Sequence, residues 1–417
     1  METILLRNIK SLSGIDESGR IKRSGKEMDE LISIENAWLL IKDGLIADYG
    51  SMTNCEGIAD YNGSSIDCSG KFVLPCFVDS HTHLVFAKTR EEEFVMRIKG
   101  KSYEEIAMAG GGILNSVRRL QEMSEDDLFK SAFARLNEVI SFGTGAIEIK
   151  SGYGLSTEDE LKMLRVIKRL KEVSPITIKA TFLAAHAFPT EFKQNHPGYI
   201  DLIINEMLPR VVAENLADYM DVFCDQGFFS VAETNQLLEA AAKFGLKAKI
   251  HGNELGYTGG VQVAVKNNAL SVDHLEYTGE EEIAILLKSN TMPVALPGCS
   301  FFLTIPYAPL RKMIDAGLAV CLASDYNPGS TPNGRMGFVI SLACTQMKLT
   351  PEEAINAATI NGAYALELSE YLGSITKGKL GNVIITKEMP SLAFLPYCFG
   401  VDQVEQTIIK GKSVSLK

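Results

Sequence analysis

The sequence predicts an α/β protein: a (β/α)8 barrel of the TIM type, with a small composite β-sandwich domain formed by the N- and C-terminal segments. Apolar strand-like runs alternate with helical segments from about residue 74 to residue 365. The cores of these runs are almost continuously apolar, as in a parallel sheet that helices cover on both faces. Eight such runs joined by helices fit a closed barrel.

Eight strand-like runs occupy this part of the chain. In chain order they are FVLPCFVDSHTHL (72–84), TGAIEIKSGYG (144–154), ITIKATFLAAHAF (176–188), YMDVFCDQG (219–227), LKAKIHGNEL (246–255), LSVDHLEY (270–277), TMPVALPGC (291–299) and LAVCLASDYNPG (318–329). Helical patterns lie between them, for example at 157–173 and 231–245. An open doubly wound sheet is the alternative, but no G-x-G-x-x-G turn follows the first run.

Both ends of the chain carry short strands. The stretch AWLLIKDGLIADYG (37–50) predicts two strands around Asp43-Gly44, a dipeptide that favours the tight turn of a β-hairpin. Short strand patterns return near the C-terminus in NVIIT and QTIIKGKSVSL. We therefore expect residues 1–73 and 366–417 to form one small β domain, and residues 74–365 to form the barrel.

Composition and charge narrow the possible partners. The net charge is −11 and the pI about 5.2, so the surface repels nucleic acid, and a pocket for an anionic substrate needs its own Arg or Lys. No signal peptide is visible, and no apolar stretch approaches the ~18 residues of a membrane span. The eight cysteines form no C-x-x-C pair, which favours a reducing cytoplasm. We expect a cytoplasmic enzyme with a small-molecule substrate and no membrane or nucleic-acid partner.

Polar residues fall where a barrel places its active site, at the carboxyl ends of the strands. The first run ends in His81-Thr82-His83, and residues two apart in a strand point to the same face. The fifth run ends in His251 and the eighth in Asp325. Three imidazoles and one carboxylate suit Zn²⁺, with iron (Fe²⁺ or Fe³⁺) as the second candidate. The sequence predicts a site for one ion, with these four residues as ligands.

Three further residues lie near this predicted site. His274 is either a fourth imidazole ligand or an outer residue hydrogen-bonded to Asp325 or to bound water, and we favour the second role. Glu254, three residues after His251, is the best-placed carboxylate to move a proton in C–N bond hydrolysis. His186 is either a core histidine or a site residue. A serine elbow, a Walker A loop and an H-E-x-x-H motif are all absent.

The chain resembles the amidohydrolase superfamily in this pattern: H-x-H on the first strand, histidines on the fifth and sixth, and Asp on the eighth, with the C-terminal phrase GSITKGKLGN. The resemblance covers essentially the whole chain. Many members carry a lysine on the fourth strand that bridges two metal ions, but MDVFCDQG offers none, which favours one ion. Cys224 or Asp225 is an alternative bridge to a second ion, although core packing explains them as well.

A closer resemblance is to the superfamily members that open the ring of 4-imidazolone-5-propanoate to N-formimidoyl-L-glutamate in histidine degradation. The phrases that carry it include VDSHTHLVFAKTREEEF, IEIKSGYGL, LAAHAFP, HGNE, VDHLEY and SDYNPGS. The resemblance implies that Glu254, His274 and Asp325 are catalytic. It implies substrate contacts from Glu254 and from Arg90, Tyr153, His186, Asn327, Gly329 and Ser330, with Arg90 as the cation that holds the propanoate.

Two other functions remain possible on the sequence alone. The first is a purine or pyrimidine deaminase of the same superfamily with one metal ion, although a neutral base would not need Arg90. The second is a metal-free scaffold that keeps the barrel, but every predicted ligand position is filled. A homodimer is plausible for such an enzyme.

Overall fold

The chain forms two sheets of eight strands each in the computed structural model, which describes residues 3–55, 58, 61, 63–101, 105 and 111–414. In chain order the strands are β1 (Thr3–Ser13), β2 (Ser33–Lys42), β3 (Leu45–Ser51), β4 (Ser64–Asp67), β5 (Lys71–Pro75), β6 (Phe77–Asp79), β7 (Thr144–Lys150), β8 (Thr177–Ala185), β9 (Tyr219–Cys224), β10 (Lys247–Gly252), β11 (Ser271–His274), β12 (Met292–Ala295), β13 (Cys321–Leu322), β14 (Val383–Glu388), β15 (Val404–Ile409) and β16 (Lys412–Ser413).

Strands β6 to β13 form the barrel, and each pairs in parallel with the next along the chain. The first and last strands meet just beyond their assigned ends, where Thr82 bridges to Tyr326 in parallel. The Asp325 N–H donates to the His81 carbonyl at 3.0 Å, and the His83 N–H donates to the Tyr326 carbonyl at 2.9 Å. The predicted (β/α)8 barrel is therefore confirmed, and its closing contact runs through predicted site residues.

Helices connect most of the barrel strands. The α-helices are Glu91–Ile98, Ile113–Glu122, Glu125–Ser141, Thr157–Val173, His196–Leu202, Leu208–Ala213, Val231–Lys243, Gly260–Lys266, Glu280–Leu286, Pro297–Leu303, Leu310–Asp315, Met336–Met347, Pro351–Ala358, Ile360–Ala365 and Phe394–Tyr397. Short 3₁₀ helices occupy Gly25–Asp29, Met52–Asn54 and Thr190–Phe192, and a π-helical turn occupies Ile203–Met207. Within the described residues, no helix is long and apolar enough to cross a membrane.

Side-chain caps explain where two of the predicted helices begin. The Ser156 hydroxyl accepts from the Asp159 N–H at 3.3 Å in front of helix Thr157–Val173. Ser230 and Glu233 form a reciprocal capping box at the start of helix Val231–Lys243. These helices match the predicted segments to within two residues.

The second sheet combines both ends of the chain. Strand β1 pairs antiparallel with β2 and parallel with β4 and β5, while β14 from the C-terminal segment pairs antiparallel with β5 and β15. The predicted hairpin is confirmed: Asp43 and Gly44 have φ of 51° and 83°, as a type I′ turn requires. The domain limits proposed at residues 73/74 and 365/366 stay predictions.

The first apolar run is not one strand. It divides at Cys76 into β5, which belongs to the composite sheet, and β6, which opens the barrel. The Cys76 N–H donates to the Asn382 carbonyl at 3.0 Å and the Phe77 N–H to the Gly143 carbonyl at 2.9 Å. Hydrogen bonding thus passes from one sheet to the other between two neighbouring residues.

The composite sheet packs against the barrel through alternate residues of its strands. On β14, Val383 and Ile385 lie in the sheet's own apolar core, whereas Ile384 between them lies in the barrel core. This is the alternation expected of a strand buried on both faces. The two sheets therefore share one continuous apolar contact.

Candidate metal centre and active site

Three buried imidazoles meet at the mouth of the barrel. His83 Nε2 lies 3.3 Å from His81 Nε2 and 3.3 Å from His251 Nε2. The Asp325 Oδ1 atom lies 3.6 Å from the Nε2 atoms of both His81 and His83. The four residues predicted as ligands thus come together, and each is at most 2% exposed.

The backbone explains why these side chains converge. His81 and His83 are two residues apart in an extended segment, so both rings point to one side. His251 lies on β10, beside Phe223 of β9 and Asp273 of β11. Asp325 has φ of 54°, a left-handed conformation that Asp adopts more readily than most residues.

The hydrogen bonding of the rings fits a bound cation. His81 Nδ1 lies 2.6 Å from Asp273 Oδ2, and His251 Nδ1 lies 2.9 Å from Asp221 Oδ2. A carboxylate partner keeps the proton on Nδ1, so each Nε2 presents a lone pair to the centre. His83 Nε2 faces both lone pairs and carries at most one proton. A cation would satisfy all three atoms at once.

Electrostatics favour neutral rings, the form that binds metals. Burial lowers the pKa of His81 and His83 well below 6.5 and the pKa of His251 to about 4. Burial raises the pKa of Asp325 to about 6. Hydroxyl groups of Ser330 and Thr331 lie 3.2 and 3.3 Å from Asp325 Oδ2, which leaves Oδ1 facing the rings.

A layer of five charged side chains lies beneath the histidines, and the sequence analysis did not identify it. All are fully buried and stand on inward-facing positions of the barrel strands; we call them the buried charged layer: Glu148, Lys150, Asp221, Lys249 and Asp273. Lys150 Nζ lies 2.6 Å from Glu148 Oε1, 2.7 Å from Asp221 Oδ2 and 3.7 Å from Asp273 Oδ2. Lys249 contacts Glu148 and donates to the Ser80 carbonyl at 2.9 Å.

The layer orients the ligands above it. Asp273 and Asp221, which hold His81 and His251, both face Lys150. Burial would raise the pKa of Asp221, but His251 and Lys150 outweigh burial and keep it below the usual value. Lys150 therefore keeps a carboxylate ionised in the core, and that carboxylate fixes the orientation of a ligand ring.

Glu254 and His274 form a pair beside the three rings. His274 Nε2 lies 3.5 Å from Glu254 Oε2. Burial raises the pKa of Glu254 to about 7. Burial would lower the pKa of His274, but the carboxylates of Glu254 and Glu276 hold it well above 6.5. His274 has φ of 87°, a backbone conformation outside the strand region.

Asp225 fixes the loop that carries Glu254. Its Oδ2 atom accepts from the N–H groups of Glu254 at 2.7 Å and Leu255 at 3.0 Å. Both interactions engage the same carboxylate oxygen, so Asp225 acts here as an anchor of the loop. Cys224 is buried in the barrel core.

Arg90, Tyr153 and His186 lie on the His83 side of the site. The His186 ring stacks on His83 with centroids 5.0 Å apart, and Tyr153 lies 5.9 Å from His83 and 5.5 Å from His186. The Arg90 Nε is buried and has no hydrogen-bond partner within the described residues. The nearest carboxylate oxygen to it, on Glu93, is 3.8 Å away. The guanidinium is thus available for an anion.

Asn327 organises the loop that follows the eighth barrel strand. Its Oδ1 accepts from the N–H groups of Gly329 at 2.7 Å and Ser330 at 2.8 Å. A Cβ on Gly329 would lie 1.1 Å from an Arg90 Nη atom, so glycine makes room for the guanidinium. The loop thereby joins the Arg90 side of the site to Asp325, as the predicted substrate contacts require.

Comparisons with known proteins agree with this architecture. The model of the amidohydrolase family matches residues 72–414, and the chain belongs to that family. Solved structures of similar fold include E. coli guanine deaminase, with a TM-score of 0.73, 15% identity and 100% coverage of both chains. A triazine hydrolase variant has a TM-score of 0.74 at 15% identity, covering 99% of this chain and 94% of that one. At this identity they show the fold alone.

Curated relatives are much more similar. The imidazolonepropionase of Flavobacterium johnsoniae is 58% identical over 411 residues, which cover 98% of this chain and 99% of the relative. That of Christiangramia forsetii is 56% identical, covering 99% and 100%, and that of Thermoanaerobacter pseudethanolicus is 41% identical, covering 98% and 97%. Within the amidohydrolases, the chain belongs to the imidazolonepropionase family.

Proposed function

We propose that this protein hydrolyses 4-imidazolone-5-propanoate to N-formimidoyl-L-glutamate. One observation carries the proposal: the four predicted ligands converge beside a Glu254–His274 pair on one side and Arg90 on the other. The four ligands suit a metal-assisted hydrolysis, and the Glu254–His274 pair suits proton transfer. Arg90 suits the binding of a substrate that carries a carboxylate. Membership of the imidazolonepropionase family supports the same reaction.

His81, His83, His251 and Asp325 would hold one cation, either Zn²⁺ or iron. When bound, the cation would supply Lewis-acid chemistry that polarises the ring carbonyl and activates water. The buried charged layer keeps the ring Nε2 atoms directed at that position. Glu254 and His274 supply the proton transfer, so we propose that the reaction needs one ion.

Glu254 takes the proton of the attacking water and passes it to the ring nitrogen as the C–N bond breaks. A carboxylate with a pKa of about 7 can both accept and donate a proton at neutral pH. The carbonyl carbon becomes a carboxylate, and the nitrogen remains on the product as part of the formimidoyl group. One water molecule is consumed and no ammonia is formed. His274, next to Glu254, steadies its charge during the transfer.

Arg90 binds the propanoate with its forked guanidinium. Tyr153 and His186 pack beside the ring, and the loop of Asn327, Gly329 and Ser330 receives the newly formed carboxylate. Within an acidic protein, Arg90 supplies the local positive charge that an anionic substrate needs. We also propose that two copies of the chain form a homodimer. We propose the cytoplasm as the location of the protein in the cell.

The decisive experiment is an assay of the purified protein with 4-imidazolone-5-propanoate. We expect the imidazolone absorbance to disappear without release of ammonia, a chelator to abolish the activity, and Zn²⁺ or Fe²⁺ to restore it. Guanine serves as the substrate of the competing deaminase function. Release of ammonia from guanine, with the imidazolone left unchanged, would contradict the proposal.

A further inference from the structure

A second group of metal-binding side chains lies next to the three histidines. Glu254, His274 and Cys299 each offer a ligand atom, and these atoms lie within 4.8 Å of one another. Glu254 Oε1 is 3.8 Å from Cys299 Sγ, and Glu254 Oε2 is 3.5 Å from His274 Nε2. Ligand atoms on a tetrahedral Zn²⁺ are separated by ~3.3–3.7 Å, as the metal–ligand bond lengths require. Each Glu254 oxygen thus lies at about this distance from one of the other two ligand atoms, and a small shift of the side chains would bring all three onto one ion.

The surroundings of His274 resemble those of a metal ligand. Its Nδ1 lies 3.7 Å from Glu276 Oε2, and neither atom has a hydrogen-bond partner within the described residues. The Ser300 hydroxyl donates to the other Glu276 oxygen at 3.1 Å and directs that carboxylate. A carboxylate behind a histidine is the usual outer support of a zinc-bound imidazole. A small shift would close this contact when Nε2 binds a cation.

Charge and burial also favour a soft divalent cation at this group. Cys299 is fully buried and His274 is 3% exposed, and the Glu254 side chain is 12% exposed. Zn²⁺ would displace the protons of His274 and of the buried Cys299 thiol. The Glu254 carboxylate and the Cys299 thiolate would then neutralise the charge of the ion, with His274 as the third ligand. Zinc combines sulfur, nitrogen and oxygen ligands readily, whereas magnesium and calcium prefer oxygen alone.

We propose that Glu254, His274 and Cys299 form a second, inhibitory binding site for Zn²⁺. The site is distinct from the predicted catalytic one, which uses His81, His83, His251 and Asp325. An ion bound here occupies the Glu254 carboxylate and removes the proton carrier of the hydrolysis. The inhibitory effect thus rests on the proposed function, but binding of the ion does not.

Cadmium is the probe for the binding site, because a cadmium–thiolate bond has an ultraviolet charge-transfer band. Holoenzyme that already carries one equivalent of metal is titrated with Cd²⁺. We expect one further equivalent to bind with that band and Zn²⁺ to displace it. Cys299→Ala should abolish the band and keep the first metal, with Cys299→Ser as the replacement if the alanine variant fails to fold. Cys224→Ala, another buried cysteine, should behave like the wild type.

The kinetic measurement tests inhibition of 4-imidazolone-5-propanoate hydrolysis by added Zn²⁺. Cys299→Ala should need at least ~10-fold more Zn²⁺ for half inhibition, because the loss even of an outer partner costs 10–100-fold in metal affinity. No band in the wild type, or an unchanged band in Cys299→Ala, would overturn the site. A normal band without inhibition would overturn the inhibitory role. Absence of any hydrolysis would instead count against the proposed function and leave the titration as the test of the site.

Discussion

Glu254 is the residue on which the proposed proton transfer depends. Replacement by Gln keeps the side-chain size and leaves the four predicted ligands untouched, but removes the group that accepts a proton. We expect Glu254→Gln to keep its metal and to lose ~10²–10⁴-fold in kcat, the usual range for a general acid–base group. Metal analysis and steady-state kinetics of the same preparation measure both quantities. An unchanged kcat would remove Glu254 from the mechanism.

Arg90 tests the recognition of the substrate's carboxylate. Arg90→Ala removes a charged hydrogen-bonding partner, so we expect KM to rise ~10–100-fold with little change in kcat. Arg90→Lys keeps the positive charge but not the forked guanidinium, so its KM should lie between those of the wild type and Arg90→Ala. The methyl ester of the substrate, which lacks the carboxylate charge, is the control. The wild type should prefer the acid to the ester, whereas Arg90→Ala should show no such preference. An unaltered KM for the acid would contradict the carboxylate clamp.

At the scale of the strands, the buried charged layer is the feature that sets the metal ligands in place. Asp273→Asn keeps the shape of the side chain but weakens its hold on the His81 Nδ1–H. We expect metal affinity to fall ~10–100-fold, measured by competition with a chelator. The control is Asp218→Asn. Asp218 directly precedes β9, at the end of the strand opposite the metal ligands, where it pairs with Lys171 and Lys179 and is 30% exposed. Equal affinities of the two variants would refute the orienting role.

The positions of the metal ligands were predictable from the strands, whereas the position of Cys299 was not. His81, His83, His251 and Asp325 lie at or just after the carboxyl ends of their strands, so the common direction of the strands predicts that all four share one end of the barrel. The charged layer carried a comparable signal, because Lys249 stands two residues before His251 and therefore on the same face of its strand. Cys299 gave no such signal, because only the packing of helix Pro297–Leu303 brings it to Glu254.

At the scale of the whole molecule, the alternation of strands and helices predicted the barrel, and the Asp43-Gly44 turn predicted the hairpin of the composite sheet. The division at Cys76 was not predictable from hydrophobicity, because β5 and β6 are equally apolar and the break depends on hydrogen bonds to Asn382 and Gly143. Such partners are distant in sequence or follow a helix, so only the folded chain identifies them.

Asn361 joins the N-terminal segment to the barrel through hydrogen bonds to residues that are distant in sequence. This fully buried side chain accepts from the Arg23 N–H at 2.8 Å and donates to the Arg23 and Val320 carbonyls at 3.0 and 2.8 Å. Asn361→Ala leaves those backbone groups without these partners, so we expect the free energy of unfolding to fall by ~2–4 kcal/mol. Urea denaturation measures the change. Asn205→Ala, at an exposed position of the turn Ile203–Met207, should stay within ~0.5 kcal/mol of the wild type. A similarly small change for Asn361→Ala would show that Asn361 contributes little to joining the two parts.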